Sequence, residues 1–193
     1  MLTLVLLLLP IQASLAQDMY SSVPNGGNFG DWGTLHECPS GSRLTGFYMK
    51  VDRKTVTVDN SAVNAIFLFC TDISTGNRVG TVTSAGGNFG TDGPEYNCKP
   101  GTYVVAFALS VGKKNSFDDT GINNFRFKCS DGTTITGDGM PWGIWGGWSD
   151  KCPNGMSAIK TRFQHDQGPF KDDTALNDAQ FLCISNSQWS IKG

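Results

Sequence analysis

One pattern occurs three times and constrains this chain more than any other feature. Asp172-Asp173-Thr174-Ala175-Leu176-Asn177 runs on through Phe181 to Cys183. Asp118-Asp119-Thr120-Gly121-Ile122-Asn123 leads through Phe125 and Phe127 to Cys129. A weaker copy, Asp59-Asn60-Ser61-Ala62-Val63-Asn64, leads through Ile66 and Leu68 to Cys70. In each copy the Asn stands six residues before the Cys. A polar turn thus feeds an alternating apolar strand that ends on a cysteine. Phe125, Phe127 and Cys129 alternate with Arg126 and Lys128, the mark of a strand with one wet face. Tyr103, Val105, Phe107, Leu109 and Val111 alternate in the same way with Val104, Ala106, Ala108 and Ser110. No stretch after residue 16 sustains a 3.6-residue period with caps, so essentially no helix is expected.

Further landmarks extend the turn-and-strand copies into repeats of about 26–72, 86–131 and 139–185. They open on Gly26-Gly27-Asn28-Phe29-Gly30, Gly86-Gly87-Asn88-Phe89-Gly90 and Gly139-Met140-Pro141-Trp142-Gly143. Within each, a first cysteine (Cys38, Cys98, Cys152) precedes Gly41, Gly101 or Gly155 by three residues. Six cysteines allow fifteen pairings. If every repeat closes alike, the pairs are Cys38–Cys70, Cys98–Cys129 and Cys152–Cys183. Each bridge would contribute roughly 3–4 kcal/mol in the chain-entropy model. About four strands per repeat cannot hide their own apolar face, so the three repeats must pack face to face. There is no CxxC pair, and the only histidines are His36 and His165, so no metal set is expected. No cofactor is implied.

Residues 1–16, with leucines from Leu2 to Leu9, Pro10 and Ser14-Leu15-Ala16, read as a secretory signal peptide. The run is too short to span a bilayer, and no second one follows. Residues 17–193 then form a single domain, expected outside the cell and without a membrane span. The net charge of −2 and the scattered Lys and Arg leave no basic stripe for nucleic acid.

The chain resembles the vitelline membrane outer layer protein I family over nearly all of residues 17–193. The most specific stretches are Gly168-Pro169-Phe170-Lys171-Asp172-Asp173-Thr174-Ala175-Leu176-Asn177-Asp178-Ala179, Trp142-Gly143-Ile144-Trp145-Gly146-Gly147-Trp148-Ser149 and Phe125-Arg126-Phe127-Lys128-Cys129-Ser130-Asp131-Gly132. The resemblance implies an all-β, β-prism I fold: three four-stranded Greek-key sheets about a pseudo-threefold axis, each from one repeat. It also implies an extracellular, egg-coat-like setting among glycoproteins, and a weak chitooligosaccharide-transferring activity without a catalytic pair to carry over. The first repeat departs from the pattern, with Asn60 and Ser61 where the others have Asp and Thr.

Candidate functional residues follow from chemistry. Asp172 and Asp173 could hold ligand hydroxyls, although the favoured reading is a turn in which Asp and Thr accept backbone N–H bonds and Asn tolerates left-handed geometry. Glu37 and Glu95 could face each other across a groove. Trp142, Trp145 and Trp148, beside Asp150, could stack on sugar rings. The favoured reading there is core filling near the axis, with one of Trp145 and Trp148 buried and the other partly exposed. Aligned by distance from the first cysteine, Thr161 and His165 stand where the other repeats have Phe47/Phe107 and Val51/Val111. That reads as a strand end reaching solvent. The functional reading is a secreted structural or interaction protein whose partners are extracellular glycoproteins or oligosaccharides. The alternatives are a lectin-like module, since jacalin-type plant lectins share this architecture, and a weak glycan-transferring enzyme.

Overall fold

The computed structural model describes residues 19–53, 61–113, 120–166, 168 and 174–185. Residues 1–16, Asp59-Asn60, Asp118-Asp119 and Asp172-Asp173 lie outside them. Among the described residues every regular element is a strand. The chain begins with β1 (Met19–Ser21), β2 (Asp31–Trp32) and β3 (His36–Glu37). A long hairpin follows, β4 (Ser42–Val51) and β5 (Val63–Asp72), and then β6 (Arg78–Val82). The second repeat supplies β7 (Thr91–Asp92), β8 (Tyr96–Asn97), the hairpin β9 (Val104–Val111) and β10 (Ile122–Cys129), and β11 (Thr134–Thr136). The third supplies β12 (Ile144–Trp145) and the hairpin β13 (Met156–Phe163) and β14 (Leu176–Cys183).

Three antiparallel sheets result, one around each hairpin, and together they form the expected β-prism. The first runs β6-β5-β4-β7, with β8 also on β4; the second runs β11-β10-β9-β12. The third runs β1-β14-β13-β2, with β3 also on β13. This corrects the implication that each sheet comes from one repeat. Each hairpin is finished by the opening of the following repeat, and the third by the opening of the first. The crossings are held by equivalent backbone bonds. Gly33, Gly93 and Gly146 donate to Thr161, Met49 and Leu109 carbonyls at 2.8, 2.8 and 2.9 Å. At the far edge of the third sheet, β1 takes the place that β6 and β11 hold in the others.

The exchange changes what the disulfides do. Cys38 joins Cys70, Cys98 joins Cys129 and Cys152 joins Cys183, with Cα–Cα distances of 5.5, 5.8 and 5.2 Å. The first cysteine of each pair bonds through its N–H to the preceding sheet, at Ser157, Thr45 or Val105. The second ends the repeat's own hairpin. Each bridge therefore lies within one repeat in sequence but fastens two sheets in space.

Inward residues of the hairpins fill the axis. Phe47 faces Leu68, Phe107 faces Phe127 and Ile159 faces Phe181 across their strand pairs. The rings interlock: Phe47–Phe127 at 4.8 Å, Phe107–Phe181 at 4.5 Å and Phe127–Phe181 at 5.6 Å. Tilted and edge-on aromatic pairs of this kind add to the stabilisation from burial.

The register makes Ile159, not Thr161, the equivalent of Phe47 and Phe107. The connection after Cys152 is two residues shorter than in the other repeats, which defeats alignment by distance from the cysteine. Phe163 takes the place of Val51 and Val111, and His165 lies beyond the strand with its ring against Phe163 at 5.0 Å. Nor does Thr161 reach solvent. It is 1% exposed, and its hydroxyl donates to the Ala85 carbonyl at 2.6 Å.

At the disulfide end of the axis, one residue from each repeat meets. The Arg43 guanidinium lies 4.4 Å from the Tyr103 ring centroid, and Arg43 Nε donates to Asn154 O at 2.7 Å. A Cβ on Gly155 would come within 2.8 Å of the Tyr103 ring and 3.0 Å of Arg43 Cδ.

Candidate functional site

The triplicated turn is built around its asparagine. Asn64, Asn123 and Asn177 are buried. Each side-chain amide donates back to the start of its own turn: Asn64 to Ser61 Oγ at 2.8 Å, Asn123 to Thr120 Oγ1 at 2.8 Å, Asn177 to Thr174 Oγ1 at 2.6 Å. The same amides reach the carbonyls of Ala62, Gly121 and Ala175. Ala62 and Ala175 have φ of 52° and 51°, so alanine, not asparagine, carries the left-handed strain. That conformation costs an L-residue roughly 1–2 kcal/mol, which the amide bonds help to offset.

These turns position the repeat openings. The asparagine carbonyls accept from Gly87, Met140 and Gly27 at 2.8, 2.9 and 2.7 Å. Two residues after each of those anchors stands an aromatic: Phe89, Trp142 and Phe29, at 55%, 38% and 41% exposure. The equivalent aromatics are therefore presented to solvent, which corrects the core-filling reading. Beside Phe29, a cavity of about 200 Å³ opens where the turns of the second and third repeats meet, lined also by Asn25, Lys113, Thr120 and Asn177.

Trp145 and Trp148 lie on the outer face of the second sheet. Neither is in the core; both are half-buried, where one buried and one partly exposed were expected. The reason is on the neighbouring strand. Ala106, Ala108 and Ser110 point outward from β9 and form a low floor. Lys128 and Arg126 of β10 stand opposite Ala106 and Ala108, and Trp145 of β12 stands opposite Ser110. The long side chains meet above that floor. The Arg126 guanidinium lies 4.6 Å from the Trp145 ring and 4.8 Å from the Trp148 ring, and Lys128 Nζ lies 4.7 Å from Trp148. Arg126 also donates to Gly146 O at 3.3 Å. Cations over indole faces contribute ~0.5–2 kcal/mol each, the more so when partly dry. Ile144, the strand neighbour of Trp145, is also exposed. Asp150 is exposed, and its main-chain carbonyl accepts from Ser21 Oγ at 3.0 Å. Sequence reasoning saw Arg126 and Lys128 only as a wet strand face. The signal it missed was the run of small residues on the partner strand.

The third sheet carries a related arrangement. Lys160 Nζ sits 5.5 Å from the Tyr20 ring and 5.0 Å from the Trp32 ring, and Arg162 lies 5.3 Å from Trp32. Opposite Arg162 stands Asp178, packed under Gly26 of the first opening. Burial pushes this carboxyl up to about 6, against the downward pull of the Ala179 N–H and of Arg162. Glu95 does not face Glu37. It pairs with both terminal nitrogens of Arg78 at 2.9 and 2.8 Å, and that bond holds its carboxyl below the usual range.

This arrangement of repeats, bridges and openings has known counterparts. Residues 19–186 match the family model described as vitelline membrane outer layer protein I. The chain belongs to the vitelline membrane outer layer protein I family. Among relatives of this family, the chain is 40% identical over 166 residues to a vitelline membrane outer layer protein 1 homolog of Homo sapiens. That match covers 83% of this chain and 80% of the relative. The corresponding protein of Mus musculus is 38% identical over 167 residues, covering 85% of this chain and 82% of its own. In fold, the family member described here is similar to Calystegia sepium agglutinin, with a TM-score of 0.56 at 12% identity, covering 88% of this chain and 97% of that one. It is also similar to artocarpin, solved as a mannopentose complex, with a TM-score of 0.52 at 15% identity over 89% and 99% of the two chains.

Proposed function

We propose that this is a secreted structural or interaction protein of an extracellular, egg-coat-like layer, and that it binds glycans or the glycoproteins that carry them. Family membership and three inter-sheet disulfides support the setting, since such bridges persist in oxidising compartments. The single observation that carries the binding reading is the half-open Trp145–Arg126–Trp148 stack. Indole rings held in place by cations on a rigid sheet offer sugar rings a stacking wall at little ordering cost, and apolar surface left at solvent on a stable fold marks interaction sites. A glycan array followed by product analysis of the best binder tests this. A saturable, unaltered ligand whose binding quenches or shifts tryptophan emission is expected. Trp148→Ala should weaken it about tenfold. Absence of any glycan binding by a folded protein would sink the reading, and a chemically changed glycan would make the protein an enzyme.

A further inference from the structure

We propose that the outer face of the second sheet binds the acidic group of an anionic saccharide, with Arg126 and Lys128 as its ligands and Trp145 and Trp148 as walls for the sugar ring. This rests on the glycan-binding reading above and names its ligand class. The shared chemistry is a carboxylate or sulfate group on a pyranose.

The first argument is charge accounting. The whole chain is net negative, at −2. Four cations elsewhere have carboxylate partners: Lys50 with Asp92 at 3.9 Å, Arg53 with Asp138 at 2.6 Å, Arg78 with Glu95 at 2.8 Å and Lys99 with Asp131 at 3.1 Å, while Lys160 and Arg162 of the third sheet have ring neighbours instead. Among the described residues no carboxylate comes within ion-pair distance of Arg126 or Lys128. Their neighbours are indole faces and one carbonyl. A ring quadrupole attracts a cation but does not cancel its charge. Of the five N–H donors of a guanidinium, a single 3.3 Å bond engages one, and Arg126 Nε is buried without an acceptor. The cation is held firmly, oriented, and left unneutralised.

The second argument comes from the pseudo-threefold itself. Asp92 stands opposite Lys50 on the first sheet at the register position where Trp145 stands opposite Ser110 on the second. Two residues beyond Gly93 comes Glu95; two beyond the equivalent Gly146 comes Trp148. On the first sheet, then, the edge strand brings two carboxylates to its cations. On the second, the same two positions bring two indoles, and the cations keep their charge. The ligand's anion would supply what the first sheet holds within the chain, and the indoles would take the ring that bears it.

The test uses matched probes on the full mature chain: 3′-sialyllactose against lactose, and a chondroitin sulfate hexasaccharide against its desulfated form, followed by tryptophan fluorescence. The acidic member of at least one pair should bind about tenfold tighter at low salt, with the gap closing at high ionic strength. Which pair responds distinguishes carboxylate from sulfate. Lys128→Gln, and separately Arg126→Gln, should remove that preference while the Lys50→Gln control on the first sheet keeps it. Two variants are used because Arg126 also supports the stack, and a melting curve for each separates lost recognition from lost fold. Equal binding of acidic and neutral probes would overturn this proposal and leave glycan binding standing. Equal loss in Lys50→Gln would overturn it too, as diffuse attraction. No response to any probe would overturn both.

Discussion

On the first sheet the two middle strands carry rings and the edges carry charge; on the second the middle carries charge and the edge carries rings. Tyr48 and Phe67 stack at 4.6 Å and 6° between planes, and Phe69 is sealed beneath Arg78 at 3.5 Å, with Glu95 holding the guanidinium in place. The second sheet inverts this, with Arg126 and Lys128 rising over alanines to meet Trp145 and Trp148. Inner faces of the two are alike, because both must fill one axis. Outer faces answer only to solvent and to partners, so symmetry of the backbone leaves them free to differ.

Four substitutions would break or sharpen that contrast. The largest effect is expected at Phe69, which is 1% exposed. Phe69→Ala should cost ~3–5 kcal/mol of stability in chemical denaturation, against ~1–2 for Trp148→Ala, whose ring is half-open. Equal costs would mean that the tryptophans are as structural as the first sheet's rings. The next concerns the third sheet. The neutral form of Asp178 is favoured by burial, so the folded state binds its proton more tightly than the unfolded state does. Stability should therefore be greatest below about pH 3.8 with respect to this group, and should fall as pH rises through about 6. Asp178→Asn should recover ~1–2 kcal/mol at pH 7, a figure reduced for partial solvent access, and should flatten that part of the pH profile. An unchanged profile would place the carboxyl in contact with water. The smallest effect is expected at Glu95→Gln on the first sheet: a slight drop in melting temperature that disappears at high salt, since exposed ion pairs are weak and screened.

Much of this was legible in the residues. The Asn-to-Cys spacing gave the second strand of every hairpin, because a buried amide that closes its own turn must keep a fixed distance from the strand it starts. The cysteine pairs followed from repetition alone. Strand exchange was not legible, since openings such as Trp32 and Trp145 have too few residues to declare which hairpin they join. Thr161 was misplaced because alignment counted from Cys152 across a connection two residues shorter than its counterparts, and the strand pairing of Ile159 with Phe181 restores the register. The tryptophans were misread because their spacing of three says nothing about direction. What decided it was Ala106, Ala108 and Ser110 on a strand distant in sequence. The acidic pairs Asp118-Asp119 and Asp172-Asp173 lie outside the described residues and keep their candidacy.

The meeting of Arg43, Tyr103 and Gly155 carries a consequence for how such a chain can originate. By register these are the same position in the three repeats, brought to one point. The space there admits one long cation, one ring and one bare backbone. Three arginines would crowd like charges together, three tyrosines would overlap, and three glycines would leave a void. A chain of three identical copies could adopt this backbone only imperfectly. Triplication supplies the architecture, but the copies must become unlike one another at the axis before the ring can close tightly.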